Sequence, residues 1–276
     1  MLEILKAILF GIVEGITEWL PISSTGHLII LDEIFVLDVS ASFYEMFQVV
    51  IQLGAIAAVL VLFWEKLNPF SKSKDKKEKE QIWNLWIKVV AAVIPSAVLG
   101  FLLDDWMDAN LYNHVVVSIT LILYGVAFIY IEQRNRSQNL KVKNVHAIDL
   151  RTAMLIGCFQ CLALIPGTSR SGSTILGGIF LGVNRAAASE FSFFLAIPTM
   201  LGASLLKLVK FIASGEGMSF LEFMVLIVGS GVSFVVSMFV IRKLMEYVRR
   251  NSFAVFGLYR IALGAVVMLY FLFSLL

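Results

Sequence analysis

The chain has 276 residues, 59% hydrophobic and only 15% charged, with a net charge of +2 and a mean hydropathy of +0.88. Average soluble domains are about 45–50% apolar and about 25% charged, so a soluble globular protein is excluded and an integral membrane protein is indicated. The apolar runs lack the alternation of barrel strands, and backbone in lipid must satisfy its own hydrogen bonds, so membrane-spanning helices are expected.

In chain order, residues 2–20 read as a helix carrying Glu14 and Glu18, broken at Pro21. Nothing basic precedes this apolar run, so it does not read as a cleaved signal. Ser23 and Ser24 are N-cap candidates for a short helix reaching about Phe35. A loop with Asp32, Glu33 and Asp38 follows, then a full span from Phe43 to Trp64. Glu65 to Glu80 reads as a lysine-rich loop, Ile82 to Leu103 as a span, Asp104-Asp105-Trp-Met-Asp108 as an acidic turn and His114 to Ile131 as a span. Glu132 to Arg151 is a polar basic linker. The second half reads as a broken hairpin over 152–182, spans at about 190–212, 220–240 and 253–275, and a basic turn with Arg242, Lys243, Arg249 and Arg250. Cys158 and Cys161 form a C-x-x-C pair with no second pair or nearby histidine, and read as small helix residues.

The second half repeats the first. Glu3-x3-Ala7-x3-Gly11-x2-Glu14 aligns with Asp149-x3-Ala153-x3-Gly157-x2-Gln160, and Pro21 aligns with Pro166, at an offset of about 145 residues. Such repeats in membrane proteins mean two related bundles about a pseudo-two-fold axis. If each broken segment is a hairpin entering and leaving on one side, each half has three further spans and the halves are inverted. The loops at 65–81, 132–151, 183–189 and 242–250 then share a side and hold six, five, one and four Lys/Arg, sixteen of the chain's 22. The opposite loops, at 32–42, 104–112 and 213–219, hold none. The positive-inside rule favours this hairpin arrangement over one in which 2–20 and 152–165 cross fully. The expected fold is therefore an all-α polytopic membrane protein of one domain. It comprises two inverted repeats, 1–131 and 148–276, each a re-entrant hairpin plus three transmembrane helices, joined by a cytoplasmic linker at about 132–147.

The chemistry concentrates at the two hairpin tips. Glu14 and Glu18 are four apart, on one helix face, and two such carboxylates call for a cation, a proton or an arginine between them. A hard divalent ion, Mg²⁺ or Ca²⁺, suits one or two carboxylates plus phosphate oxygens; the blander reading is two charges reaching for water at a helix end. Ser23, Ser24, Thr25 and Gly26 open a helix whose N-terminus can hold an anion, or they merely cap it. Thr168-Ser169-Arg170-Ser171-Gly172 repeats the arrangement, with Arg170 adding a planar donor fork suited to phosphate or to an ion pair with Glu14 or Glu18. His27 lies beside these groups in sequence and is expected to do nucleophilic or acid/base work, with Gly172 in its place in the second half. His114 and His146 lie near loops. Together these residues point to phosphoryl chemistry on an anionic substrate with a hydrocarbon portion. Arg260, inside the last span, needs a partner, either lipid phosphate or a carboxylate.

The stretches Glu14-Gly-Ile-Thr-Glu18-Trp-Leu-Pro-Ile-Ser-Ser-Thr-Gly-His27 and Pro166-Gly-Thr-Ser-Arg170-Ser-Gly-Ser-Thr174, with Gln52-Leu-Gly54 and Ala188-Ser-Glu-Phe-Ser-Phe193, resemble the bacterial undecaprenyl-diphosphate phosphatase family of the bacitracin-resistance type. The resemblance runs the whole length. It implies a hydrolase of undecaprenyl diphosphate in the bacterial cell membrane, dependent on a divalent cation held by Glu14 and Glu18, with its site open to the outside and basic loops in the cytoplasm. It further implies roles in carrier-lipid recycling for the cell wall and in bacitracin resistance. The family's functional positions fall on Glu14, Glu18, Ser24, His27, Arg170 and Thr174, and contacts to the substrate are expected from Ser23, Thr25, Gly26, Ser169, Ser171, Gly172, Thr174 and Gln52. Expected partners are the polyprenyl diphosphate and membrane lipids, with no nucleic acid; a homodimer is an open alternative to a monomer. The acid-phosphatase-like lipid phosphatases need a second histidine after the arginine, and none follows Arg170 here. A transporter of lipid phosphate remains the rival reading, since broken helices meeting at mid-membrane are transporter architecture.

Overall fold

The computed structural model describes residues 1–135 and 142–274. Part of the expected linker (136–141) and the final two residues lie outside the described residues, as do the side chains of Asp104, Asp105 and Asp108. The protein is an all-helical polytopic membrane protein. Its helices are α1 (Leu2–Thr17), α2 (Ser24–Ile34), α3 (Ala41–Val50), α4 (Gln52–Leu62), α5 (Trp64–Leu67), α6 (Lys76–Leu111), α7 (His114–Asn135), α8 (Leu150–Cys161), α9 (Arg170–Phe180), α10 (Arg185–Ala213), α11 (Phe220–Val248) and α12 (Ala254–Ser274). Six stretches are long and apolar enough to cross a bilayer: Ala41–Leu62, Lys76–Leu103, His114–Asn135, Arg185–Ala213, Phe220–Val248 and Ala254–Phe273.

The expected span from Phe43 is present as Ala41–Leu62, in two helices with a break at Ile51 that hydropathy does not see because the apolar run continues through it. Two other expectations need correction. The lysine loop is shorter than expected: α5 occupies its start, and an Asp75–Glu78 capping box starts α6 inside it. The acidic turn is helical, since α6 continues to Leu111, past the apolar part that ends at Leu103.

Two kinds of contact organise the bundle. The first is close helix packing through small residues, which is how helices associate where lipid removes the hydrophobic drive. α1 lies along α11, and α8 lies along α6. A Cβ at Gly11 would sit 2.5 Å from the Gly229 carbonyl oxygen, and one at Gly157 would sit 2.1 Å from that of Ala92. α7 and α12 cross with reciprocal contacts. A Cβ at Gly125 would meet the Gly257 oxygen at 2.6 Å, and a Cβ at Gly257 would meet the Gly125 oxygen at 2.6 Å. Ile261 faces Gly125, and Ile129 faces Gly257.

The second is polar tying of the loops at each end. At one end Lys66 pairs with Glu190 at 2.8 Å, Arg185 pairs with Glu132, and Glu132 also accepts the Phe253 N–H at 2.9 Å. The isolated bridge Val142–Val183 and the Lys88 bond to the His146 carbonyl lie at this end too. At the other end Glu3 accepts the Asp38 N–H at 2.9 Å, so α1 starts where α2's following loop returns. Glu222 there accepts from the Ser40 N–H and hydroxyl, and Ser42 bonds Glu216. The basic loops thus gather at one end, and the loops without lysine or arginine at 32–42 and 213–219 gather at the other. The core between them is aromatic, with Trp19, Phe191, Phe193 and Phe194 all fully buried.

Candidate active site

Each tip is set by a serine in the left-handed region. Ser23 has φ 74° and Ser169 has φ 72°, and these are the only non-glycine residues with positive φ among the described residues. Such a conformation costs of order 1–3 kcal/mol and persists only where surrounding contacts impose it. Both serines are N-caps: Ser23 Oγ accepts from the Gly26 N–H at 3.3 Å, and Ser169 Oγ accepts from the Gly172 N–H at 3.1 Å. The capped helices α2 and α9 therefore start in matching fashion, with the positive ends of their dipoles toward the tips. The caps put the offset between halves here at 146 rather than 145. Ser24 then corresponds to Arg170, and His27 corresponds to Ser173, which corrects the expected match of His27 with Gly172.

Glu18 sits where the tips meet. Its Oε1 accepts from Arg170 Nη2 at 2.9 Å, and its Oε2 accepts from Ser24 Oγ at 3.0 Å. Its own carbonyl oxygen accepts from Ser171 Oγ at 2.9 Å, so both tips hold one residue. Arg170 also donates from Nη1 to the Ser192 carbonyl at 2.7 Å and stands over the Trp19 ring, while its buried Nε has no acceptor. Thr174 bonds the Ser192 hydroxyl at 2.7 Å and the Arg170 carbonyl at 2.9 Å, which backs the arginine from behind.

Glu14 lies one turn away, fully buried, and neither of its carboxylate oxygens has a hydrogen-bond partner among the described residues. Its counterpart Gln160 is bound by contrast, donating to Ser96 Oγ at 2.6 Å and Thr199 Oγ1 at 3.2 Å. A buried carboxylate without a partner is costly. Among the described residues no three His, Cys, Asp or Glu side chains gather into a metal cage. The donors present, one free carboxylate beside a second already engaged, fit a hard cation of the Mg²⁺ type, which takes one or two carboxylates and completes its shell with water and phosphate oxygens.

His27 is placed differently from expectation. Its Nδ1 lies 2.7 Å from the Ser23 carbonyl, which can only accept, so Nδ1 carries the proton. Nε2 therefore accepts from the Tyr259 hydroxyl, 2.7 Å away, and the two rings are nearly parallel at 4°. His27 makes no hydrogen bond to Glu14, Glu18 or Arg170; it stands one turn along α2 from Ser24, on the same face. Thr25 makes no side-chain hydrogen bond among the described residues. Gln52 starts α4 beside the Ile51 break and makes none to this cluster.

Among the described residues Arg260 is partnered by backbone carbonyls and not by a carboxylate. Fully buried, it donates to the Pro21 carbonyl at 3.1 Å in the first tip and to those of Gly167 and Thr168 at 2.8 and 2.9 Å in the second. It also faces the Tyr124 ring. Ser192 and Tyr259 escaped the reading of the sequence as site residues. Each left one trace, a polar side chain inside an apolar span, beside Glu190 and Arg260 respectively. Cys158 and Cys161 are free thiols away from this cluster. At the N-cap of α8, bonds from Thr152 hold the Asp149 carboxyl below its ordinary pKa.

The arrangement offers a hydroxyl already hydrogen-bonded to a carboxylate, an arginine, two helix N-termini and a free carboxylate, all inside an apolar bundle. Residues 7–266 match the family model described as bacitracin resistance protein BacA. The chain is 56% identical over 269 residues to a protein of Enterococcus faecalis named undecaprenyl-diphosphatase, covering 98% of each chain. It is 57% identical over 271 residues to one of that name from Lactiplantibacillus plantarum, again covering 98% of each. A Streptococcus pyogenes protein of the same name is 51% identical over 274 residues, covering 99% of this chain and 98% of the other. With a family model matching nearly its full length, the chain belongs to the BacA bacitracin-resistance protein family.

Proposed function

We propose that the chain hydrolyses undecaprenyl diphosphate to undecaprenyl phosphate and inorganic phosphate, recycling the carrier lipid of cell-wall synthesis and thereby conferring bacitracin resistance. The relatives' shared name supplies the substrate. One observation carries the chemistry: Glu18 bridges Ser24 of one tip and Arg170 of the other, beside the unpartnered Glu14.

The architecture that goes with this reading is a pair of inverted repeats, each a re-entrant hairpin plus three crossing helices. It is supported by the matching caps at Ser23 and Ser169, by the exchange that packs α1 on α11 and α8 on α6, and by the reciprocal Gly125–Gly257 contact. A two-fold axis makes contacts reciprocal in this way. The positive-inside rule assigns the basic end to the cytoplasm of a bacterial cell membrane. The first arm then opens outward, and so does the site.

Ser24 Oγ stands within base reach of Glu18, the geometry of an activated nucleophile. Oγ attacks the terminal phosphorus as its proton passes to Glu18, and the bridging P–O bond breaks with its electron pair on undecaprenyl phosphate. Water then attacks the phosphoserine, which releases inorganic phosphate and restores the Ser24 hydroxyl. Arg170 and the amide ends of α2 and α9 hold the phosphate oxygens; neutralising their charge is most of the work in phosphoryl transfer. A Mg²⁺ or Ca²⁺ ion on Glu14 and Glu18, when bound, supplies further charge neutralisation at the diphosphate. His27 acts on the water of the second step through the Tyr259 hydroxyl, from which its Nε2 accepts.

The reading is tested with purified protein in detergent, where no leaflets exist. Release of phosphate from undecaprenyl diphosphate is expected, with labelled phosphate trapped on Ser24 after rapid acid quench. Lipid movement across vesicles without phosphate release would favour a transporter. Phosphate release with no label ever retained would replace Ser24 attack by direct attack of water.

A further inference from the structure

The basic end holds a site remote from this chemistry. A groove of about 760 Å³ runs between the last turns of α11 and the start of α12. Leu20, Phe239, Leu244, Tyr247, Val255 and Phe256 belong to its apolar wall, and its polar lining is Lys243, Glu246, Arg250 and Asn251. A second cavity of about 660 Å³ adjoins it, shares Arg250 and Glu246 with it, and adds Arg242 and Arg249 together with Lys66, Glu65 and Glu190. Phe239 lies nine residues before the end of α11, so the groove reaches roughly 13 Å into the bundle from that end at 1.5 Å per residue. Its wall there includes Leu20, whose carbonyl accepts from Ser171 Oγ at 3.3 Å at the meeting of the two tips.

Among the cations at this end, Lys66, Lys74, Arg185 and Lys243 are paired with Glu190, Glu65, Glu132 and Glu246. Arg242, Arg249 and Arg250 are exposed and make no side-chain hydrogen bond or ion pair among the described residues. A helix C-terminus favours a nearby cation, but its half charge does not balance three. An apolar groove that ends at Arg250, with Arg242 and Arg249 in the adjoining cavity, is complementary to a molecule with a hydrocarbon chain and a phosphate head. Guanidinium suits phosphate through its planar donor fork, and basic pockets between membrane helices hold anionic headgroups.

We infer that this groove is a binding site for an anionic glycerophospholipid of the adjoining leaflet, with one acyl chain against Leu20 and Phe239 and its phosphate on Arg242, Arg249 and Arg250. A lipid seated there lies against the inner face of the first tip, so its departure leaves that face unsupported.

The full chain is purified, equilibrated in micelles containing equal phosphatidylglycerol and phosphatidylcholine, and examined by native mass spectrometry for lipid that stays bound. Wild-type protein is expected to retain phosphatidylglycerol preferentially. Arg242→Gln/Arg249→Gln/Arg250→Gln should lose about fivefold of that preference per arginine, with phosphate release in detergent retained as the check that it is folded. Lys72→Gln/Lys76→Gln/Lys77→Gln removes the same charge from the same end outside the groove and should leave retention unchanged. Val255→Trp narrows the groove without changing charge and should lower retention. Equal retention of the two lipids, equal loss in the lysine and arginine variants, or full retention in Val255→Trp would each overturn the site. So would displacement of phosphatidylglycerol by added polyprenyl monophosphate at equal concentration.

Discussion

Arg170 Nη2 lies 2.9 Å from Glu18 Oε1, joining residues 152 positions apart in the chain and fastening one hairpin tip to the other. The pair is largely buried, and the guanidinium is committed at once to Glu18 and to the Ser192 carbonyl. Removing one member of a buried pair costs about 3–5 kcal/mol, because the other charge is left without compensation. Arg170→Met should therefore lower both thermal stability and phosphate release. Glu18→Gln/Arg170→Met should regain most of the stability while staying inactive. Unfolding in detergent and phosphate release measured side by side check this; a double variant as unstable as the single one would mean that the pair is not what holds the tips together.

Ser23 and Ser169 give a second prediction, because the same side chain both caps a helix and sits in a conformation that favours glycine. Serine to glycine loses only a few tenths of a kcal/mol of capping and relieves the backbone. Serine to valine loses the cap and keeps the strain. Ser169→Gly should unfold at or above the wild-type temperature, while Ser169→Val, which keeps the strain and loses the cap, should be destabilised by about 1–2 kcal/mol. The Ser23 variants should rank in the same order. A valine variant as stable as the glycine one would contradict the left-handed assignment.

Much of this site was legible in the sequence, and the parts that were not share a cause. Glu14, Glu18 and Arg170 stood out because a charge in an apolar run needs a reason, and the internal repeat pointed the two stretches at each other. The Ile51 break was hidden because hydropathy sees only a continuous apolar run. The end of α6 was misread because polarity at 104–111 marks emergence from lipid, not the end of a helix. Arg260 was noticed, but its partners are the carbonyls of Pro21, Gly167 and Thr168, and a backbone acceptor leaves no mark in side-chain pattern. Tyr259 meets His27 only because α12 packs beside α2, a relation across 232 residues that no local spacing encodes.

Arg260 yields a third prediction from those same bonds. One guanidinium reaches carbonyls of both tips, whereas a lysine ammonium is a point donor that cannot span them with the same geometry. Arg260→Lys preserves the charge and should still cut phosphate release by 10-fold or more, since a small misplacement of reacting groups costs up to about 10² in rate. Guanidinium added to Arg260→Ala should restore part of the loss, and methylammonium should not. Full activity in Arg260→Lys would show that only its charge matters.

Glu14 carries the last prediction, and its counterpart Gln160 suggests the experiment. A fully buried carboxylate with two unpartnered oxygens is a liability to the fold unless a ligand uses it. Glu14→Gln removes the charge while keeping the shape, and the second arm already tolerates that amide. The variant should unfold at a higher temperature than wild type when divalent cations are chelated. Wild type should gain thermal stability on adding Mg²⁺ or Ca²⁺ by binding linkage, and Glu14→Gln should gain little. Phosphate release by Glu14→Gln should need at least 10-fold more cation for half its maximum, since losing one charged ligand weakens a hard-cation site sharply. Equal cation-induced stabilisation of both proteins would remove Glu14 from the ion's ligands and leave its burial to be explained by a proton instead.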